Sequence, residues 1–281
     1  MKLKLFALAA LLTLSIKGFS QDKNFYIFLA FGQSNMEGAG KPEKQDSTVD
    51  ERFRVLQAVD CPIQGRLKDN WYTAVPPLSK CNTGLNPGDY FGRELLKYLP
   101  KNAKVGIINV SVAGAKIEIF DNDQLAAYMT TAPGYQKKAV ADYGGSPYDR
   151  LLALAKEAQK VGVIKGMLLH QGESNPNDSL WTTKVKALYD HLNKDLGLDP
   201  KKTPLLAGET VNADQQGVCA GMNKIIATLP QKIPNSYVIS SAGCTQRGDH
   251  LHFSPAGYRK FGTRYGNKMA SLLGFKVDPV E

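Results

Sequence analysis

The chain has 281 residues, 43% hydrophobic and 22% charged, with a formal charge of +9. The charge is diffuse, with lysine doublets only at Lys137-Lys138 and Lys201-Lys202 and no basic stripe interleaved with aromatics, which argues against a nucleic-acid partner because that affinity rests on clustered phosphate contacts. It leaves attraction to an acidic polysaccharide open, and with no repeat, low-complexity tract or long Pro/Gly/Ser linker, one domain is expected.

Met1-Lys2-Leu3-Lys4 leads into an apolar run from Leu5 to Ile16, followed by Lys17-Gly18-Phe19-Ser20. A basic start, an apolar middle and small residues near the end have the form of a secretory signal peptide over residues 1–20. The apolar middle of about 12 residues falls short of the roughly 20 that span a bilayer, and no cysteine follows it, so neither a membrane anchor nor a lipid anchor is expected. Residues 21–281 would then form a single exported domain, periplasmic or secreted. Its formal charge would be +6, because Lys2, Lys4 and Lys17 leave with the signal.

Five short apolar, β-branched runs predict strands: Phe25 to Phe31, Lys104 to Val110, Val163 to Leu169, Pro204 to Gly208 and Ser236 to Ser240. Helical spacing lies between them. Asp89 to Leu99 carries Tyr90, Leu95, Leu96 and Leu99 on one side, and Asp149 to Lys160 repeats leucine and alanine before Gly162. Asp178 is placed to cap a helix in which Leu180, Val185, Leu188, Leu192 and Leu196 recur before Gly197. Gln215 to Leu229 and Pro255 to Leu273 complete the helices, the last with Pro255 in its first turn. Such alternation predicts a mainly parallel five-stranded sheet with helices on both faces, whose ligands bind outside the carboxyl ends of the strands.

Two stretches, Gly40 to Gly88 and Ala115 to Pro147, are too long for ordinary connections and read as loops walling a cleft. Four cysteines, Cys61, Cys81, Cys219 and Cys244, allow two disulfides in any of three pairings. Cys61 with Cys81 would staple one loop region, and Cys219 with Cys244 would tie a helix to the segment before Asp249; reduced buried cysteines are the alternative. No CxxC or paired-histidine spacing points to a metal.

Ser34, in Gly32-Gln33-Ser34-Asn35-Met36, directly follows the first strand, where a parallel sheet presents a nucleophile. It is not in the Gly-x-Ser-x-Gly elbow of α/β-hydrolases. Far down the chain, Asp249-His250-Leu251-His252 supplies a base, His252, and an orienting carboxylate, Asp249, three residues apart. An oxyanion needs preplaced donors, and the candidates are the amides of Ser34 and Gly114 and a side-chain amide in His170-Gln171-Gly172-Glu173-Ser174-Asn175. Gly114 reads equally as a turn glycine. Glu173 reads either as support for Gln33 and the Ser34 loop or as a general acid, with Glu209 or Asp249 as the second carboxylate of a glycosidase.

These four blocks, in this order, resemble the SGNH hydrolases, in the branch of sialate O-acetylesterase-like proteins and carbohydrate esterase family six acetyl xylan esterases. The resemblance covers essentially all of residues 21–281. It implies a three-layer α/β/α sandwich of the flavodoxin-like kind, no metal or organic cofactor, and deacetylation of sugar hydroxyls on an acetylated carbohydrate. It casts Ser34 as nucleophile, His252 as base, Asp249 as its partner, and Ser34 and Gly114 as oxyanion donors. The superfamily's third-block Gly-x-Asn-Asp is replaced here by Gln171-Gly172-Glu173-Ser174-Asn175. Gln171 is therefore expected as the third donor, with Asn175 as the alternative and Gln33 and Glu173 in support.

Three rivals stand beside that expectation: a lipase or lysophospholipase on the same scaffold, a glycosidase using Glu173, and a carbohydrate-binding protein without turnover. The long loops carry Trp71, Tyr72, Tyr90, Tyr128, Tyr135, Tyr143 and Tyr148 among polar residues, which suits sugar rings better than acyl chains. Neither the oligomeric state nor the particular sugar follows from the sequence.

Overall fold

The computed structural model describes residues 21–277, so the expected signal segment lies outside the described residues. In chain order the elements are β1 (Phe25–Gly32), α1 (Ser34–Glu37), β2 (Phe53–Leu56), β3 (Trp71–Thr73), α2 (Pro87–Tyr98), β4 (Lys104–Ser111), α3 (Asn122–Thr131), α4 (Gly134–Asp142) and α5 (Pro147–Gln159). There follow β5 (Val163–His170), α6 (Trp181–Leu196), β6 (Leu205–Gly208), α7 (Asn223–Ile226), α8 (Leu229–Lys232), β7 (Ser236–Ile239) and α9 (Pro255–Leu272).

The strands form one sheet of seven in the order β3-β2-β4-β1-β5-β6-β7, parallel except for the antiparallel edge pair β2–β3. The five expected strands are all present. The two additions lie in the stretch taken as loop: four and three residues long, they are too short for their apolar pattern to stand out. The second stretch taken as loop contains α3 and α4, each with few buried side chains and hence little periodicity.

Alternation along β1 divides the core. Ile27, Leu29 and Phe31 point into a cluster with Leu151 and Leu154 of α5 and Trp181, Val185 and Leu192 of α6. Phe28 and Ala30 point the other way, into a cluster with Phe91 and Leu95 of α2 and Phe261, Tyr265 and Met269 of α9. These are the three layers of an α/β/α sandwich.

Two helix boundaries differ from expectation. The α6 helix begins at Trp181 rather than after Asp178, whose carboxylate accepts from the Leu180 amide at 3.0 Å in a turn that precedes it. It ends, as expected, at a left-handed Gly197. The helix expected from Gln215 to Leu229 is broken into short pieces, because Gln216 is left-handed and Gly217 packs too closely on the Val211 carbonyl for any side chain. Cys61 and Cys81 form a disulfide. The second suggested pair does not form: Cys219 is half-buried, and Cys244 is buried with its thiol pushed up to about 11 by that burial.

Candidate active site

Register sets the site. Gly32, the last residue of β1, is level with Ser111 at the end of β4 and His170 at the end of β5. All three segments that follow, residues 33–37, 112–115 and 171–175, therefore leave the sheet at the same height, on its carboxyl edge. Gly32 has φ of 152°, and a Cβ there would lie 2.0 Å from the His170 carbonyl oxygen, so only glycine fits between these strands. One residue on, the Gln33 amide donates to that carbonyl at 3.0 Å, and the chain turns into α1 with Ser34 as its first residue.

The histidine comes from the loop before α9. His252 Nε2 lies 2.9 Å from Ser34 Oγ, across 218 residues of sequence. Its Nδ1 faces Asp249 Oδ2 at 2.7 Å, while Asp249 Oδ1 accepts from the amides of Leu251 at 3.0 Å and His252 at 2.8 Å. A proton on Nδ1 toward the carboxylate leaves Nε2 as acceptor for the serine hydroxyl. Burial pushes the Asp249 carboxyl up, but the His252 amide and ring, the Leu251 amide and Arg247 outweigh it and hold the group well below the usual carboxylate range. His250 is left-handed and its ring contacts Gln246, so of these two histidines His252 is the one bonded to the serine.

Asn35 ties these pieces together. Its Nδ2 donates to Glu173 Oε1 at 2.7 Å and to the Leu251 carbonyl at 3.1 Å, and its Oδ1 accepts from the Phe253 amide at 3.3 Å and the Tyr258 hydroxyl at 2.6 Å. The residue after the serine thus grips the loop that carries the histidine. Glu173 is buried behind it, with His170 Nδ1 3.6 Å from its Oε1. Gln33 Oε1 accepts from the Ser174 amide at 3.1 Å and from Gln171 Nε2 at 3.2 Å.

Gln171 corrects an expectation. Its amide nitrogen faces Gln33 Oε1, Asn175 Oδ1 at 2.6 Å and the Ala115 carbonyl at 3.3 Å, and its oxygen accepts from Trp181 Nε1. Both amide hydrogens are taken up inside the protein, leaving none for a carbonyl oxygen in the cleft. Asn175 is no substitute, because its Nδ2 donates to Glu118 at 3.0 Å and Asp178 at 3.1 Å. By contrast, the backbone amides of Ser34 and Gly114 have no protein acceptor among the described residues. Gly114 follows the Val112 amide, which bonds the Gly32 carbonyl at 3.0 Å, and this holds the loop beside Ser34. Its φ of 65° lies in the left-handed region that favours glycine.

Sequence reasoning assigned no role to Asn35, Arg247 or Tyr258. Arg247 Nε donates to Asp249 Oδ2 at 2.8 Å, its Nη1 donates to the Ala39 carbonyl at 3.0 Å, and its Nη2 lies 3.0 Å from His252 Nδ1. A cation two residues before the carboxylate was the one available signal. Nothing in the sequence marks Tyr258, which reaches Asn35 from α9.

The family model described as carbohydrate esterase, sialic acid-specific acetylesterase matches residues 24–271. The fold is shared with three solved structures of low identity. An Arabidopsis thaliana protein is 20% identical with a TM-score of 0.68, the match covering 89% of this chain and 99% of that one. The structure titled NanS is 16% identical at TM-score 0.63, covering 91% and 98%. A structure titled as a novel carbohydrate acetylesterase from Xanthomonas citri is 18% identical at TM-score 0.58, covering 85% of this chain and 54% of that one.

Proposed function

From the premise that the chain belongs to the carbohydrate esterase, sialic acid-specific acetylesterase family, and is a carboxylic ester hydrolase, we propose that it is a serine esterase removing O-acetyl groups from a carbohydrate through an acetyl-enzyme intermediate. The observation that carries this reading is the unbroken line from Ser34 Oγ to His252 to Asp249, at 2.9 and 2.7 Å. Ser34 Oγ attacks the acetyl carbonyl carbon as His252 Nε2 takes its proton. The amides of Ser34 and Gly114 receive the negative charge on the carbonyl oxygen, and donors of this kind are each worth roughly 3 to 4 kcal/mol. Collapse breaks the bond to the sugar oxygen, which leaves with the proton from His252. Water, deprotonated by the same ring, then releases acetate and restores the serine. Export of the chain, with residues 1–20 removed, belongs to the same reading and is tested by whether the secreted or periplasmic protein begins near Gln21.

Ser34→Ala should abolish hydrolysis of p-nitrophenyl acetate, a loss of at least about 10³-fold, while the far-ultraviolet spectrum stays that of the folded protein. Full activity in that variant removes the mechanism. The glycosidase reading finds little support: Glu173 is buried against Asn35, and Glu209 accepts from the Ser241 amide at 2.9 Å and Asn212 at 3.1 Å.

A further inference from the structure

The Gly114 amide belongs to the middle of a tight turn. The Ala115 amide donates to the Val112 carbonyl at 3.2 Å, which makes Ala113 and Gly114 the two central residues. Gly114 has φ of 65° and Ala113 is not among the residues of positive φ, which together define a type II turn. Types I and II share their ends and differ by reversal of the central peptide, here the plane that joins the Ala113 carbonyl to the Gly114 amide. Glycine accepts either sign of φ at little cost, so its own conformation does not choose between them. Nor does packing: Ala113 is half-buried and Gly114 exposed, and Ala113 lines a surface cleft of about 550 Å³ bounded by α1, α4 and the disulfide loop. Yet the choice matters, because reversal would put a carbonyl oxygen where the proposed mechanism needs a hydrogen-bond donor.

Side chains from α3 and α4 make the choice. The Lys116 amide donates to the Tyr128 hydroxyl oxygen at 3.2 Å, the Tyr128 hydroxyl donates to Gln136 Oε1 at 3.0 Å, and Gln136 Nε2 donates to the Ala113 carbonyl at 3.3 Å. The order of donors follows from the first of them. A backbone amide only donates, so the hydroxyl hydrogen is left for the Gln136 oxygen, and the amide nitrogen of Gln136 then faces Ala113. Tyr128, on α3, and the buried Gln136, on α4, thus form a staple that leaves the loop at Lys116 and returns to it at Ala113. On the other side of the turn, Glu37, at the end of the one-turn helix that Ser34 begins, accepts from the Ala113 amide at 3.2 Å and from Lys80 Nζ at 2.6 Å. Glu37 anchors the entry to the turn, but among the described residues only Gln136 bonds the peptide that reverses.

We infer that Gln136, aimed by Tyr128, is a positioning residue that latches the peptide between Ala113 and Gly114 with its N–H free for the developing oxyanion, so that the hole is set by α3 and α4 rather than by the turn itself. This rests on the serine-esterase reading and adds to it a residue that touches no reacting atom. In Gln136→Glu a carboxylate faces the Ala113 carbonyl and accepts from the Gly114 amide once the peptide reverses, whereas in Gln136→Leu the latch is merely missing. On p-nitrophenyl acetate kcat should fall about tenfold in Gln136→Leu and about 10²-fold in Gln136→Glu, the scale of a lost oxyanion donor, with KM within about twofold of the unsubstituted protein. Protonating the introduced carboxyl returns a donor, so the activity of Gln136→Glu relative to the unsubstituted protein should rise as pH falls, and its crystal structure at neutral pH should show the Ala113 carbonyl reversed. Equal losses in the two variants, a ratio flat with pH, or a carbonyl that keeps its place in Gln136→Glu overturns the latch. Should Gln136→Glu fail to fold, Tyr128→Phe decides: it frees Gln136 to turn its oxygen toward Ala113 and should lower kcat about threefold, the scale of one hydrogen bond, and an unchanged kcat overturns the latch. Failure of the unsubstituted protein to hydrolyse the ester would remove the esterase mechanism, while the peptide orientation in Gln136→Glu would still decide the latch.

Discussion

At Arg247 a single guanidinium touches the carboxylate of Asp249, the ring of His252 and the carbonyl of Ala39, binding the histidine loop to the segment that follows α1. It touches no reacting atom and acts by holding Asp249 and His252 in place. Arg247→Ala is expected to lower kcat on p-nitrophenyl acetate about tenfold, or ~1.4 kcal/mol of barrier, with part of the loss recovered by Arg247→Lys. A change confined to KM would remove that role. Asp249 itself, with its lowered pKa, contributes stability that is present above the ordinary carboxylate range and is lost only as pH falls through its own depressed value. Glu173→Ala leaves Asn35 Nδ2 with the Leu251 carbonyl as its remaining acceptor and opens a hole beneath it, so unfolding free energy should drop by roughly 2–4 kcal/mol. Glu173→Gln keeps an acceptor and should lose less; equal losses in urea unfolding would refute the hydrogen-bond account. The meeting of Ser34, Asp249 and His252 could be anticipated because the proposed chemistry admits few residue types. Gln171 misled for a physical reason: a strand-end amide can serve a ligand or its own neighbours, and only the packing of Trp181, Gln33 and Asn175 decides which.

Helix α2 begins with a reciprocal cap, the Asn86 side chain accepting from the Gly88 amide and Asp89 Oδ2 accepting from the Asn86 amide, both at 2.8 Å. The cap is entirely buried, and Asp89 Oδ1 has no partner. Burial therefore raises the Asp89 carboxyl to about 8, with the Asn86 amide opposing it only in part. A carboxyl raised from 3.8 to about 8 carries a proton in the folded state that the unfolded chain has lost, so its contribution is full below 3.8 and disappears as pH rises toward 8. Urea midpoints should fall through that window with a slope approaching ~1.4 kcal/mol per pH unit from this group. The slope should flatten in Asp89→Asn; a slope unchanged by that substitution would refute the assignment. Elements were readable where burial imposes a long pattern, as in β1, β4, β5, α6 and α9. They were hidden where the pattern is short or weak: β2 and β3 are only four and three residues long, α3 buries little beyond Leu125, and the left-handed Gln216 broke a helix that periodicity alone had extended.

At the scale of the molecule, the disulfide between Cys61 and Cys81 closes a separation of 20 residues around β3 and one wall of the cleft. In the chain-entropy account a loop of that size is worth roughly 3 kcal/mol. The Cys61→Ser, Cys81→Ser double variant should therefore melt roughly 5–10 °C lower. Calorimetry showing no shift would mean that the loop is ordered by its other contacts, among them Arg66, which donates to the carbonyls of Val75 at 2.8 Å and Pro77 at 3.1 Å. A protein made by a ribosome also has a direction in time. The serine is synthesised near the beginning and its base 218 residues later, and the hydrogen bond between them links β1 in the middle of the sheet to the loop before the last helix. A growing chain thus holds a hydroxyl without its histidine partner for most of its synthesis, and on the proposed serine-esterase reading it becomes a nucleophile only when the final helix has docked on α2. On that reading catalytic competence reports completed folding, and every version truncated before Asp249 should be inert however well its sheet has formed.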